Sequence, residues 1–299
     1  MHFSTDKDSC FLGLRAPAKN EPLECLLVPV PYDSTMSFQT GSKDSPAAIM
    51  KASYQLEDYD WELEIDLSDY AIATTEALKV ETLQPEDMIG GIESAVKHIM
   101  NTHDVKLLGL IGGEHSISTA GARALRSRFE SLSVLYLDAH ADLRDDYQGT
   151  RWGHASGARR ISEFTNITIA GVRSISYEEV QFAKMHNVPI VFWNGKSAPE
   201  TFIDQALEHL NTNVYLSLDL DVLEPHVIGN VGNPEPGGMD WITLMDLLKT
   251  LTTRHNLVGF DICELVPVPG NELGSYAAAK IIYKLISNNI KGDDSETVV

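Results

Sequence analysis

Ser133-Val134-Leu135-Tyr136-Leu137-Asp138-Ala139-His140-Ala141-Asp142 (133–142) is a short β-prone run that breaks into alternating acid and imidazole. An apolar run without polar alternation marks a strand covered on both faces. Side chains two apart on a strand share a face, so Asp138 and His140 point together, and Asp142 follows as the chain leaves the strand.

The same pattern recurs on either side. VKLLGLI (105–111) runs into Gly112-Gly113-Glu114-His115-Ser116, VYLSL (214–218) into Asp219-Leu220-Asp221, and LVGFDI (257–262) into Cys263-Glu264. Further runs of strand length stand at 25–30, 167–172 and 188–192. Between them lie amphipathic stretches of helix length: one with Pro85 in its first turn, one opened by Ser176 and Glu179 at capping-box spacing, one after Asp240, and one at 275–287. Buried strands alternating with helices predict an α/β fold with a mostly parallel sheet covered on both faces. No repeat or linker divides the chain, so the expectation is a single domain over 1–299 with a loose arm at 1–20 and a frayed tail at 292–299. PYDSTMSFQTGSKDSPAAI (31–49) has the Gly, Pro and Ser content of a long ordered loop.

At 299 residues and 43% hydrophobic content the chain can bury a large core. MHFSTDKDSC at the start lacks the pattern of a signal peptide, and no apolar run approaches the roughly 18 residues that span a bilayer. The three cysteines, Cys10, Cys25 and Cys263, are far apart and form no CxxC, which argues against a disulfide framework and fits a reducing cytoplasm. A formal net charge of −20 disfavours nucleic acid and anionic membranes and favours encounter with cationic small molecules. Gly195-Lys196-Ser197 lacks the upstream glycine of a phosphate loop, since position 190 is Ile.

In open parallel sheets ligands bind beyond the carboxyl ends of the strands. There the sequence collects four carboxylates, Asp138, Asp142, Asp219 and Asp221, and two imidazoles, His115 and His140. Carboxylates so crowded raise one another's pKa, and burying them bare is costly. Cations resolve the conflict, and this number of ligands suits a pair about 3.5–4 Å apart bridged by carboxylates. A single DxH or DxD at a strand end is commonplace as a solvated turn; three such motifs at successive strand ends are not. Oxygen-rich ligands with imidazole and no thiolate favour manganese over zinc, and would also suit nickel, cobalt or iron.

GGEHS (112–116), DAHAD (138–142) and SLDLDVLEP (217–225) resemble the three metal-binding signatures of the ureohydrolases: arginase, agmatinase, formiminoglutamase and relatives. The likeness runs from PYDSTMSF (31–38) to AAAKIIYKLI (277–286), and GNPEPGGMDW (232–241) and FDICELVPVPG (260–270) look especially like the agmatinase branch. The resemblance implies a three-layer α/β/α fold and two Mn²⁺ per chain, bridged by Asp138 and Asp219, with His115 and Asp142 completing one site and His140 and Asp221 the other. It implies that water activated by the metals attacks a guanidinium carbon, that His154 of WGHAS (152–156) carries a proton to the leaving amine, and that Glu264 pairs with the guanidinium. Asp142 joins His154 and Glu264 in the catalytic set. The physical logic is general: a planar cation takes a carboxylate as bidentate partner, and a departing amine needs a proton that an imidazole can carry.

Two departures bear on the substrate. The shuttle motif reads Gly153-His154-Ala155 where agmatinases often have Ser-His-Gly, and Gly41 is followed by Ser42-Lys43-Asp44 where many relatives carry an arginine. An arginase holds its substrate's α-carboxylate with Asn and Ser in the loop before the shuttle histidine. Here that loop, 143–152, reads LRDDYQGTRW and has neither. The expected reaction is therefore agmatine to putrescine and urea, with aminopropylagmatine, guanidinobutyrate and arginine as alternatives. Asp145 and Asp146 are expected to favour a distal ammonium, and Tyr147 or Trp152 to line the methylene chain. A phosphoesterase would need Arg or Lys converging on the site, which the motifs lack. A catalytically silent member would have lost a ligand, and all six are present. By family analogy the chain forms a trimer or hexamer. The remaining histidines, His2, His98, His103, His186, His209, His226 and His255, belong to no motif and are read as surface.

Overall fold

The 133–142 run begins in a central strand of an eight-stranded sheet in the computed structural model, which describes residues 2–14 and 21–296; the strand ends at Leu137, and Asp138–Asp142 follow beyond its end rather than on its face. The strands are β1 (Leu23–Val30), β2 (Tyr59–Asp60), β3 (Ile65–Asp66), β4 (Ile72–Thr74), β5 (Val105–Gly112), β6 (Leu132–Leu137), β7 (Asn166–Val172), β8 (Ile190–Phe192), β9 (Asn213–Asp219) and β10 (Asn256–Cys263). The helices are α1 (Ser45–Ser53), α2 (Pro85–Thr102), α3 (Ser118–Arg126), α4 (Gly157–Ser162), α5 (Tyr177–His186), α6 (Pro199–Leu207), α7 (Trp241–Arg254) and α8 (Leu273–Glu296).

The sheet runs β4-β1-β5-β10-β9-β6-β7-β8 and every pairing in it is parallel. Period-2 alternation divides the strand side chains between two cores. Leu216 and Leu218 of β9 face α1, α6, α7 and α8, whereas Tyr215 faces α2 to α5. The result is the three-layer α/β/α arrangement. Local signals start the helices as expected. Ser176 and Glu179 form a reciprocal capping box on α5, and Asp240 accepts the Thr243 N–H at 2.7 Å to cap α7.

Three expectations change. The arm is docked over 2–14: Ser4 N donates to Thr74 O at 2.8 Å, Phe11 N to Thr74 Oγ1 at 3.1 Å, and Phe11 is fully buried. It covers the edge strand β4, whose open hydrogen bonds and apolar face give it a reason to bind; the 15–20 part of the expected arm lies outside the described residues. The 31–49 segment is irregular only to Gly41, then becomes a 3-10 turn (Ser42–Asp44) and α1, with Pro46 in the first turn. The expected tail is helical through Glu296, and 297–299 lie outside the described residues. All three cysteines are free and buried, and no described helix is long and apolar enough to cross a membrane.

Candidate metal centre

β5, β10, β9 and β6 are neighbours in the middle of the sheet, so the four chain segments that follow them open onto one place. After β5 the chain must turn under Tyr32: Glu114 N donates to Tyr32 O at 2.7 Å, and a Cβ at Gly113 would overlap that carbonyl. Glycine is therefore required before Glu114. His115 then starts a 3-10 turn (His115–Ile117) leading into α3. Asp142 and Glu264 sit at φ 49° and 71°, left-handed values that cost a non-glycine residue about 1–3 kcal/mol and concentrate at functional sites.

The six expected ligands come together. His115 Nδ1 lies 3.0 Å from Asp138 Oδ2, 3.4 Å from Asp219 Oδ2 and 3.6 Å from Asp142 Oδ2. Its other nitrogen, Nε2, is 2.8 Å from Ser217 Oγ, which in turn donates to Asp261 Oδ1 at 3.2 Å. That backing aims Nδ1 at the carboxylates, as outer partners do for metal-binding imidazoles. His140 Nδ1 is 2.9 Å from Asp221 Oδ2 and 3.4 Å from Asp138 Oδ1. His115–Asp138–Asp219 and Asp138–His140–Asp221 can each surround an ion, and Asp138 belongs to both. Asp142 borders the first, with Oδ2 accepting the Tyr136 hydroxyl at 2.8 Å. A third grouping, His115 with Asp261 and Cys263, lies on the Nε2 side that Ser217 already occupies, and burial keeps its thiol protonated.

The donor set fits divalent metals. Asp138, Asp142, Asp219 and Asp221 are each at most 6% exposed. Burial, then repulsion among the acids, pushes the Asp138 and Asp219 carboxyls up. Burial pushes Asp142 and Asp221 up as well, but His115 and His140 hold them below the ordinary carboxylate value. Burial alone would lower His140; Asp138 and Asp221 instead raise it to about 12. Protons on two imidazoles are thus the cluster's internal counter-charge, in the position and of the sign that bound cations would supply.

The cluster forms the floor of a cavity of about 280 Å³ lined by Ser37, His115, His140, Asp142, Arg144, Tyr147, His154, Ser174, Ser176, Glu179, Asp219, Asp221, Asn233 and Glu264 among others. Glu264 accepts the His115 N–H at 2.7 Å, and burial raises its carboxyl well above the ordinary value. A Cβ at Gly232 would overlap Glu264 Oε2, so that glycine makes room for the carboxylate. His154 is 8% exposed, its pKa lowered by burial against the pull of Asp142, with Tyr147 edge-on at 5.8 Å.

Asp145 and Asp146, expected to face a distal ammonium, are not among the residues lining the cavity. Asp145 is bound by Arg160 at 2.6 Å and Arg151 at 3.0 Å, and Asp146 caps Gly149 N at 3.3 Å. Two arginines six and fifteen residues downstream (Arg151 and Arg160) neutralise the first acid, and a tight turn takes the second. Trp152 stacks under Arg123 at 4.7 Å and packs into the core beneath, whereas Tyr147 does line the cavity, with Arg144 over its ring at 5.1 Å. Sequence alone missed Thr35, Ser37, Glu114, Glu179 and Asn233. Thr35, Ser37, Glu114 and Asn233 stood inside the stretches 31–38, 112–116 and 232–241 without being singled out, and Glu179 carried its capping box; it also accepts Leu143 N at 3.0 Å, tying α5 to the 143–152 loop. Of the histidines outside the motifs, His2, His98, His186, His209 and His226 are exposed and His103 and His255 half-buried.

The Arginase family model matches residues 23–287. The chain is 34% identical over 285 residues to the N(1)-aminopropylagmatine ureohydrolase of Synechocystis sp., covering 92% of each. It is 34% identical over 265 residues to the agmatinase of Pyrococcus horikoshii, covering 87% of this chain and 90% of that one. The crystal structure of agmatine ureohydrolase of Thermoplasma volcanium superposes with a TM-score of 0.84 at 31% identity, covering 94% of each chain.

Proposed function

The chain belongs to the arginase family of ureohydrolases, and we propose that it cleaves agmatine to putrescine and urea. Its reaction class is hydrolysis of a C–N bond in a linear amidine, releasing urea and an amine. The observation that carries the assignment is the convergence of His115, His140, Asp142, Asp219 and Asp221 with His154 and Glu264 on one cavity, with Asp138 against both imidazoles beneath it.

We assign two Mn²⁺ to the cluster, which His115, Asp138, His140, Asp142, Asp219 and Asp221 would hold between them. Bound there, the ions supply Lewis acidity that brings the pKa of water to near neutrality. The protein's own groups do the rest. Glu264 presents a buried carboxylate to the guanidinium, and the planar cation fits such a partner through paired N–H donors. The oxygen of a water adds to the guanidino carbon while His154 Nε2 takes up a proton from that water; as the C–N bond breaks, Nε2 passes the proton to the amine nitrogen, and the carbon leaves as urea.

A decarboxylated substrate is supported by the absence of Asn and Ser from 143–152 and by the names of the relatives. The longer amine aminopropylagmatine is the second reading, favoured by the name of the Synechocystis relative. The same proposal makes the protein a cytoplasmic trimer or hexamer serving polyamine biosynthesis; family analogy supports the assembly and role, and three free cysteines support the compartment. Urea release measured with agmatine, aminopropylagmatine, guanidinobutyrate and arginine tests the assignment. We expect kcat/KM to be highest for agmatine; a value for arginine equal to or above it overturns the substrate, and no urea from any of them overturns the activity.

A further inference from the structure

Behind His154 stands a buried carboxylate with no part in the metal cluster. Glu114 is fully buried and meets only donors: Thr35 N at 2.6 Å on Oε2, and the hydroxyls of Ser116 at 2.6 Å and Thr35 at 2.7 Å on Oε1. Thr35 Oγ1 also lies 3.0 Å from His154 N and 3.1 Å from His154 Nδ1. On the far side of the ring, Nε2 is 3.3 Å from Ser37 Oγ, which accepts from Asn233 Nδ2 at 3.4 Å.

A threonine hydroxyl has one hydrogen and two lone pairs. Its hydrogen is committed to Glu114, because two oxygens 2.7 Å apart without a proton between them would repel. Both lone pairs then accept from His154, one from the backbone N–H and one from the ring. Nδ1 must therefore carry a hydrogen, and in the neutral ring Nε2 is the free base. Ser37 is satisfied by the same assignment, accepting from Asn233 and donating to Nε2. The opposite tautomer breaks the Thr35 link, while Ser37, with two lone pairs, could serve either form, so the Thr35 side decides.

We propose that Thr35, anchored by Glu114, is a positioning residue that holds His154 as the Nδ1-protonated tautomer, so that Nε2 faces the cavity to take up a proton and pass it to the leaving amine. This is the role an orienting carboxylate plays for a catalytic imidazole, with a hydroxyl interposed. The catalytic half rests on the guanidino hydrolysis proposed above; the tautomer does not.

The test combines nitrogen NMR of the His154 ring, identified by subtracting the His154→Ala spectrum, with urea kinetics of Thr35→Val and Thr35→Ser in the wild-type and His154→Ala backgrounds. We expect an Nδ1–H signal in wild type that is lost or exchanged for Nε2–H in Thr35→Val. That variant should keep its metal content and a KM within about twofold while kcat falls about 10- to 100-fold, part of the 10²–10⁴ a general acid contributes. Thr35→Ser should stay within about threefold of wild type, and Thr35→Val should add no loss once His154 is Ala. An Nε2–H ring in wild type overturns the proposal, and so does an equal loss in both backgrounds. The wild-type spectrum requires no variant to fold and no turnover. If no guanidino compound yields urea, the activity fails while the spectrum still decides the tautomer.

Discussion

Glu264 combines three costs at one residue: a left-handed backbone at φ 71°, near-complete burial, and a carboxylate among other carboxylates. The His115 N–H on Oε1, the charge of the His115 ring and the space left by Gly232 partly offset them. A substrate guanidinium would supply the missing charge. Glu264→Gln keeps the shape and removes the charge, so kcat/KM for agmatine should fall at least tenfold, about 1.4 kcal/mol of transition-state stabilisation. Steady-state urea kinetics decide it, and a smaller loss removes Glu264 from substrate recognition. The motif residues were legible because they stand directly after the carboxyl ends of apolar strands, as Asp138 and His140 do after Leu137. Thr35 was not, since its partners Glu114 and His154 are 79 and 119 residues away. Asp145 misled because nothing local announces that Arg160 will reach it.

Among the elements, those with their own start signals were the readable ones. α7 begins where Asp240 offers a carboxylate to Thr243 N, and α5 where Ser176 and Glu179 reciprocate. Asp240→Ala should therefore destabilise the protein by about 1 kcal/mol, within the usual 0.5–2 kcal/mol for a lost N-cap, without altering urea release. A denaturation midpoint unchanged from wild type would mean that the cap contributes nothing. β4 escaped notice because three residues carry no periodicity, and its place is set by Leu26 and its neighbours on β1. The β2–β3 ladder has only two residues on each strand, and the 2–14 segment docks through Thr74 of β4 and Ser53 of α1. In each case the information lies in a partner distant in sequence, which local pattern does not hold.

For the whole molecule, strand order is the decisive fact. β9 and β10, late in the chain, insert between β5 and β6, and this brings Glu114-His115, Asp138–Asp142, Asp219–Asp221 and Glu264 to one edge of the sheet. The sequence predicted a parallel sheet with chemistry at its carboxyl ends, but not that these four strands are neighbours, because order depends on crossovers and not on any strand's composition. The formal net charge is −20, yet a charged surface is hydrated at little cost, whereas the four buried aspartates, Asp138 with Asp142, Asp219 and Asp221, are not. Their neutralisation by a metal pair is the centre of the account. Elemental analysis of the manganese-reconstituted, desalted protein measures it directly: two ions per chain are predicted, and one or none would contradict it.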